Sequence, residues 1–147
     1  MGGSSIAPLF FVLLPFSLVI LFVALKIKRQ LDEYVPKTLI VRKDGECRKI
    51  SIETGKKRLE IKVKDFRQAS SKDVLELRIN GLSFGKYRLG LYKGPYGYVE
   101  SYATSDSGLF IEDETGKKYF VAFKNSEELL NALNDKAAGE RVIRVES

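Results

Sequence analysis

"RLEIKVK", residues 58–64, decides the fold class. Leu59, Ile61 and Val63 alternate there with Arg58, Glu60, Lys62 and Lys64, and a period of two places one set on a core and the other in water. "LELRIN", residues 75–80, repeats the pattern, with Leu75, Leu77 and Ile79 expected inward. Working outward, "TLIVRK", "CRKISIE", "YRLGLY", "YVESYAT", "GLFIED" and "KYFVAFK" read as further strands, and the tail "ERVIRVE" as a last short one. Their separators, "KDGE", "ETGKK", "KGPYG", "TSDSG" and a second "ETGKK", are turn chemistry. Short strands with glycine-bearing turns predict an antiparallel meander that curls into a barrel or sandwich, since a parallel sheet would need helical crossovers.

One helix interrupts the strands. In "KNSEELLNALNDKAAG", Asn125 and Glu128 have the spacing of a capping box and Gly139 is a natural stop. A helix over about 126–138 is predicted, with Leu129, Leu130, Leu133 and Ala137 on the face packed against the sheet.

The start of the chain follows a different rule. Of 147 residues, 25 are Lys or Arg and 19 are Asp or Glu, yet none of these lies in residues 1–25. Residues 6–25, "IAPLFFVLLPFSLVILFVAL", form a run about as long as a bilayer-crossing helix requires, roughly 20 residues, and proline is tolerated in such helices. Residues 1–25 therefore read as an N-terminal tail and transmembrane helix, 26–36 as a juxtamembrane helical stalk ending at Pro36, and 37–147 as the β domain. A cleaved signal would call for a basic start and a small-x-small site, neither of which "MGGSS" and "ALKIKR" supply. A pilin-like helix would need a basic processing site ahead of it. Lys26, Lys28 and Arg29 directly follow the run, so the single-pass anchor is expected to leave its N-terminus outside and the β domain in the cytoplasm. A lone Cys47 fits a reducing compartment.

The chemistry is bounded mainly by omission. With no histidine, imidazole bases, triads and most zinc spacings are excluded. "GLSFG", residues 81–85, matches a nucleophile elbow in letters only, and "GLSFGK" falls short of a phosphate-binding loop. Cys47 has basic neighbours that would favour a thiolate, but it reads more simply as a cysteine on a strand. No catalytic residue, metal or cofactor is expected. The net charge of +6 and pI near 9.4 favour an anionic partner, and for a tethered domain the nearest is the headgroup layer. Nothing resembles a nucleic-acid-reading element, so no specific nucleic acid is expected. The Lys- and Glu-rich surface would also suit a thermophile.

Residues 85–133, with Tyr87, Gly90, Tyr98, Tyr102, Gly116, Lys117, Tyr119, Leu130 and Leu133, resemble the second half of the bacterial and archaeal pleckstrin-homology-like domain family. The resemblance implies a bent, partly open barrel of about seven strands closed by a C-terminal helix, in a family whose members often follow transmembrane segments. It leaves an extra strand pair, 38–53, and the tail 140–147 outside the pattern. The implied function is a membrane-tethered, non-enzymatic interaction module, or a small subunit of a membrane complex, with a protein partner or a second copy of itself. "LYKGPYGY", residues 91–98, is its candidate docking edge, through Tyr92, Lys93, Tyr96 and Tyr98. The alternative is an anionic-lipid sensor using Lys56, Lys57, Arg58, Lys117 and Lys118. The two ETGKK copies are expected to be one favourable hairpin used twice, with glycine supplying a positive φ in each.

Overall fold

The computed structural model describes residues 6–146, with side chains from residue 14 onward. The elements are α1 (Ile6–Tyr34), β1 (Pro36–Asp44), β2 (Cys47–Thr54), β3 (Arg58–Ser70), α2 (Ser71–Val74), β4 (Leu77–Phe84), β5 (Tyr87–Gly94), β6 (Gly97–Ala103), β7 (Ser107–Asp113), β8 (Lys118–Ala122), α3 (Glu127–Asn134) and β9 (Gly139–Arg144). The domain is mainly β, as the alternation in residues 58–64 predicts. Its strands form one open sheet in the order β4-β5-β6-β8-β7-β3-β2-β1-β9. The extra strand pair is β1 and β2, and the tail supplies β9 beside β1.

The expected antiparallel meander is corrected at the sheet's centre. β8 runs parallel to β6 and antiparallel to β7, and lies between them. Thr104 to Asp106, linking β6 to β7, must span two strand spacings, about 10 Å, which three extended residues reach. β8 then folds back into the gap. A parallel pair thus forms with a hairpin as its crossover and no helix. The three central strands are apolar on both faces: Leu109, Ile111, Tyr102, Tyr119 and Val121 join the main core, while Phe110, Phe120, Ala122, Val99 and Ala103 form a second cluster with Val74 of α2. That double burial explains why "YFVAF" reads as a continuous apolar run rather than an alternation.

The main core lies between the sheet and α3, where Leu129, Ala132 and Leu133 meet Leu39, Val41, Ile50, Ile52, Ile61 and Ile143. Each fully buried Leu or Ile contributes about 1.5–3 kcal/mol. α3 is shorter than the predicted 126–138. It begins after Ser126 and ends at Asn134 because Asp135 turns extended, its carboxylate accepting from the Ala137 amide at 3.1 Å. Ala137 is exposed, Leu130 is half-buried, and Ala132 takes the buried position instead. Asn125 does not cap the helix. Its side chain donates to Glu128 Oε2 at 2.8 Å and to the Arg144 carbonyl at 2.9 Å, and accepts from the Glu146 amide at 2.8 Å, tying the tail to the helix entry.

A second correction concerns β4. Leu77 and Ile79, expected inward, are exposed, because β4 is an edge strand and the approach of α1 at Leu82 and Phe84 leaves them uncovered. The β4–β5 arm coils sharply where Gly81 faces Gly90. Both have positive φ, and a Cβ on Gly81 would lie 2.0 Å from the Leu89 carbonyl oxygen, so only glycine permits the approach.

α1 continues unbroken through the predicted stalk to Tyr34, and Pro36 opens β1. Among the described residues no helix is long and apolar enough to cross a membrane. The tail residues 1–5 lie outside the described residues, as do the side chains of 6–13, so the described apolar stretch starts at Leu14. From Leu14 to Leu25 α1 is exposed on every side, with Phe16 63%, Ile20 68% and Phe22 72% accessible.

Candidate functional site

The two ETGKK segments close different turns. In the first, Thr54 supplies the geometry: its Oγ1 accepts from the Lys56 and Lys57 amides at 3.3 and 3.1 Å, and its own amide donates to the Lys57 carbonyl at 2.9 Å. In the second, that part is taken by Asp113, which precedes the repeat. Its Oδ1 accepts from the Thr115 amide and the Lys117 amide, both at 2.9 Å, and from the Thr115 hydroxyl at 2.6 Å. These bonds outweigh the cost of burial and hold the Asp113 carboxyl below its ordinary range. Positive φ is needed only at Gly116, at +90°; Gly55 has no such φ, which corrects the expectation of one shared hairpin.

The turns nevertheless meet at one carboxylate. Glu100 on β6 receives Lys117 Nζ from the second turn at 2.9 Å and Lys57 Nζ from the first at 3.6 Å. The Tyr102 hydroxyl, two residues along the same face, also donates to it. Lys57 reaches further, to Glu33 of α1 at 3.7 Å, and lies 4.4 Å over the Tyr34 ring, which stands 5.3 Å from the ring of Tyr102. The last turn of α1 and both repeats are thus fastened to the middle of the sheet. Two carboxylates and two ammonium groups balance in charge.

Burial opposes ionisation of Glu100, whose side chain is only 15% exposed. The hydrogen bonds from Tyr102 and Lys117, with the charges of Lys117 and Lys57, overcome that and keep its carboxyl below the ordinary range. Burial first, and then the bond to Glu100, push the Tyr102 hydroxyl well above its usual value. Its own hydrogen bond to Glu100 raises Lys117. A carboxylate held ionised, with one donor on each oxygen, acts here as a clamp. Sequence reading missed Glu100, Glu33, Tyr34 and the role of Tyr102. The available signal was "YVESY", a lone acid between two tyrosines on one face of a strand, which must be paired if that face is covered.

The predicted basic residues therefore separate. Lys57 and Lys117 are committed to Glu100, and Arg58 pairs with Glu53 at 3.7 Å. Lys118 donates to the Gly116 carbonyl at 3.3 Å, and Lys56 is exposed.

The predicted docking edge separates too. Tyr92 is corrected from docking residue to core residue: it is 3% exposed and its hydroxyl donates to the Leu82 carbonyl at 2.9 Å. Tyr96 and Tyr98 are exposed, as expected. Tyr96 lies 5.4 Å from the Phe110 ring, with the Arg67 guanidinium 4.7 Å over it, and Lys93 lies 5.6 Å over Tyr98. These contacts hold the turn in one shape and leave a tyrosine–cation surface at its tip.

Cys47 is exposed. The "GLSFG" segment is the β4–β5 hairpin, with Phe84 opposite Tyr87 and Gly85-Lys86 as its loop, which is no strand-to-helix elbow. Among the described residues no group of three or more His, Cys, Asp or Glu could hold a metal ion. No family model, curated protein or solved structure matches this chain, so the pleckstrin-homology-like resemblance rests on the residues that carry it.

Proposed function

We propose that this chain is a membrane-tethered, non-enzymatic interaction module, or a small subunit of a membrane complex. α1 is its anchor and the β domain is held against the cytoplasmic face. The observation that carries the reading is the all-round exposure of Leu14 to Leu25 on a helix whose last turn is clamped to the sheet. A helix apolar on every side needs lipid or protein around it. Lys26, Lys28 and Arg29 directly after it favour the cytoplasmic placement of the domain. Strands followed by a helix packed on their core support the pleckstrin-homology-like relationship at that level, while the parallel β6–β8 pair and the ninth strand depart from it. The docking edge is the β5–β6 turn with Lys93, Tyr96 and Tyr98, since tyrosines supply large contact area at small entropic cost. Its partner is another protein or a second copy of the chain.

The test uses the full-length protein in cells. It should stay in the membrane pellet through an alkaline carbonate wash, and a membrane-impermeant maleimide should label Cys47 only after lysis. Release into the wash contradicts the anchor; labelling of intact cells contradicts the orientation. Lys93→Ala with Tyr96→Ala should preserve the melting temperature and abolish co-purification of the partner or second copy in mild detergent. Retention of that partner places the docking surface elsewhere. If the β domain instead reads anionic lipid, the full-length protein will favour anionic over neutral vesicles with steep salt dependence.

A further inference from the structure

We infer that the tip of the β4–β5 hairpin is a second membrane contact, a wedge that enters the headgroup layer beside α1; this rests on α1 being the anchor. Phe84, at the tip, is 76% exposed, more than any other large hydrophobic side chain among the described residues. It does not stand alone. Ile27 and Leu31 of α1, with Leu82, Phe84, Lys86 and Tyr87 of the hairpin, line an open apolar cleft of about 670 Å³. The hairpin thus lies against α1 just past its apolar run.

Its height relative to the bilayer follows from helix geometry. Ile27 is two positions beyond Leu25, roughly 3 Å along the axis. The headgroup layer on one side is about 5–7 Å thick. A side chain level with Ile27 therefore lies inside that layer and one level with Leu31, roughly 9 Å along, just beyond it, so the cleft opens across the outer part of the headgroups.

The local charges fit the same occupant. Lys86 is exposed at the loop, and Lys26, Lys28 and Arg29 are on the same stretch of α1 as Ile27; cations near an apolar tip match anionic headgroups above acyl chains. Arg88 is folded back, donating to the Gly85 carbonyl at 2.5 Å and the Tyr87 carbonyl at 2.9 Å, which stiffens the loop. Gly85, at φ +54°, occupies the first loop position of a two-residue hairpin, so the tip is short and fixed in direction. Exposed Leu77 and Ile79 belong to the same edge strand. The anchor and the wedge together give the domain two points of attachment and one orientation to the membrane.

The chain has no tryptophan, so single substitutions report position directly. Full-length F84W, L18W and V142W are reconstituted separately into vesicles of mixed neutral and anionic lipid, with bromine at shallow or deep acyl positions. Val142, on β9, is exposed at the opposite edge of the sheet. For burial at roughly 5–10 Å, the interfacial depth, F84W emission should shift to the blue and fall about two-fold with shallow bromines. L18W should respond more to deep ones and V142W to neither. F84W behaving like V142W while L18W is quenched overturns the wedge and leaves the anchor standing. If L18W is unquenched as well, the anchor itself fails. A blue shift in F84W without quenching, lost on dilution into excess empty vesicles, means a second copy fills the cleft and also overturns the wedge.

Discussion

The two ETGKK segments share five residues and are built differently. One turn is closed from inside by Thr54 and does not need its glycine's special freedom; the other is closed from outside by Asp113 and holds Gly116 at φ +90°. One sends the fifth residue of the repeat, Lys57, to the central carboxylate, while the other sends the fourth, Lys117. A short string fixes a turn only together with the side chain that accepts its amides and the strands that frame it. Their common feature is a destination, Glu100.

The largest effect should come from that shared residue. Glu100→Gln keeps the shape but removes the charge, leaving two lysines and a tyrosine hydroxyl with a weaker acceptor. We expect a loss of about 2 kcal/mol in denaturant unfolding of the full-length protein in detergent, within the range for a hydrogen-bonded charged group. A loss similar to that of Lys56→Ala, which removes only an exposed cation, would mean the clamp is ornamental.

The glycines should separate the turns next. Gly116→Ala forces a side chain into the left-handed region and should cost about 1 kcal/mol or more. Gly55→Ala should be within about 0.5 kcal/mol of neutral, since its Cβ would meet Asp32 backbone at an ordinary 3.4 Å. Equal costs in thermal melts would make the turns alike after all.

The smallest effect is in the pH profile. The Glu100 carboxyl lies below its ordinary 4.5 in the folded protein, so its contribution is present above that pH and is lost as pH falls below it. Tyr102 and Lys117 are shifted upward, so theirs is present at neutral pH and fades as pH rises above about 10. Glu100→Gln should shrink both limbs. An unchanged acid limb would assign it to Asp113 and Asp135, which are also held low.

Much of the fold was legible in the residues, and unevenly so. The pattern of apolar residues between turn signals located every strand, including β9, by alternation in most and by a continuous run in β8. It misjudged Leu77 and Ile79 because alternation tells which residues share a face, not whether anything covers it. The meander failed at β8 because order along the sheet depends on long-range pairing that no local pattern encodes. α3 ended early because Asp135 turns extended, and its expected cap failed because Asn125 found longer-range partners than its spacing offered. The lysines were found and misread: their charge is local information, whereas the carboxylate they meet sits between 17 and 43 residues away in the chain. Tyr92 was misread similarly, since the Leu82 carbonyl that its hydroxyl meets lies ten residues away on β4.

The central claim is that one carboxylate couples both repeats and the end of α1, and hydrogen exchange on the full-length protein in detergent tests it most directly. Val35 donates to the Leu31 carbonyl at 3.0 Å, so its amide reports the last turn of α1. In Glu100→Gln, exchange at residues 29–35 and at the Lys57 and Lys117 amides should rise together by about tenfold or more, equivalent to ~1.4 kcal/mol of local stability. Faster exchange confined to Lys117, with Val35 and Lys57 unchanged, would show that the two turns and the helix are held independently and would contradict the account.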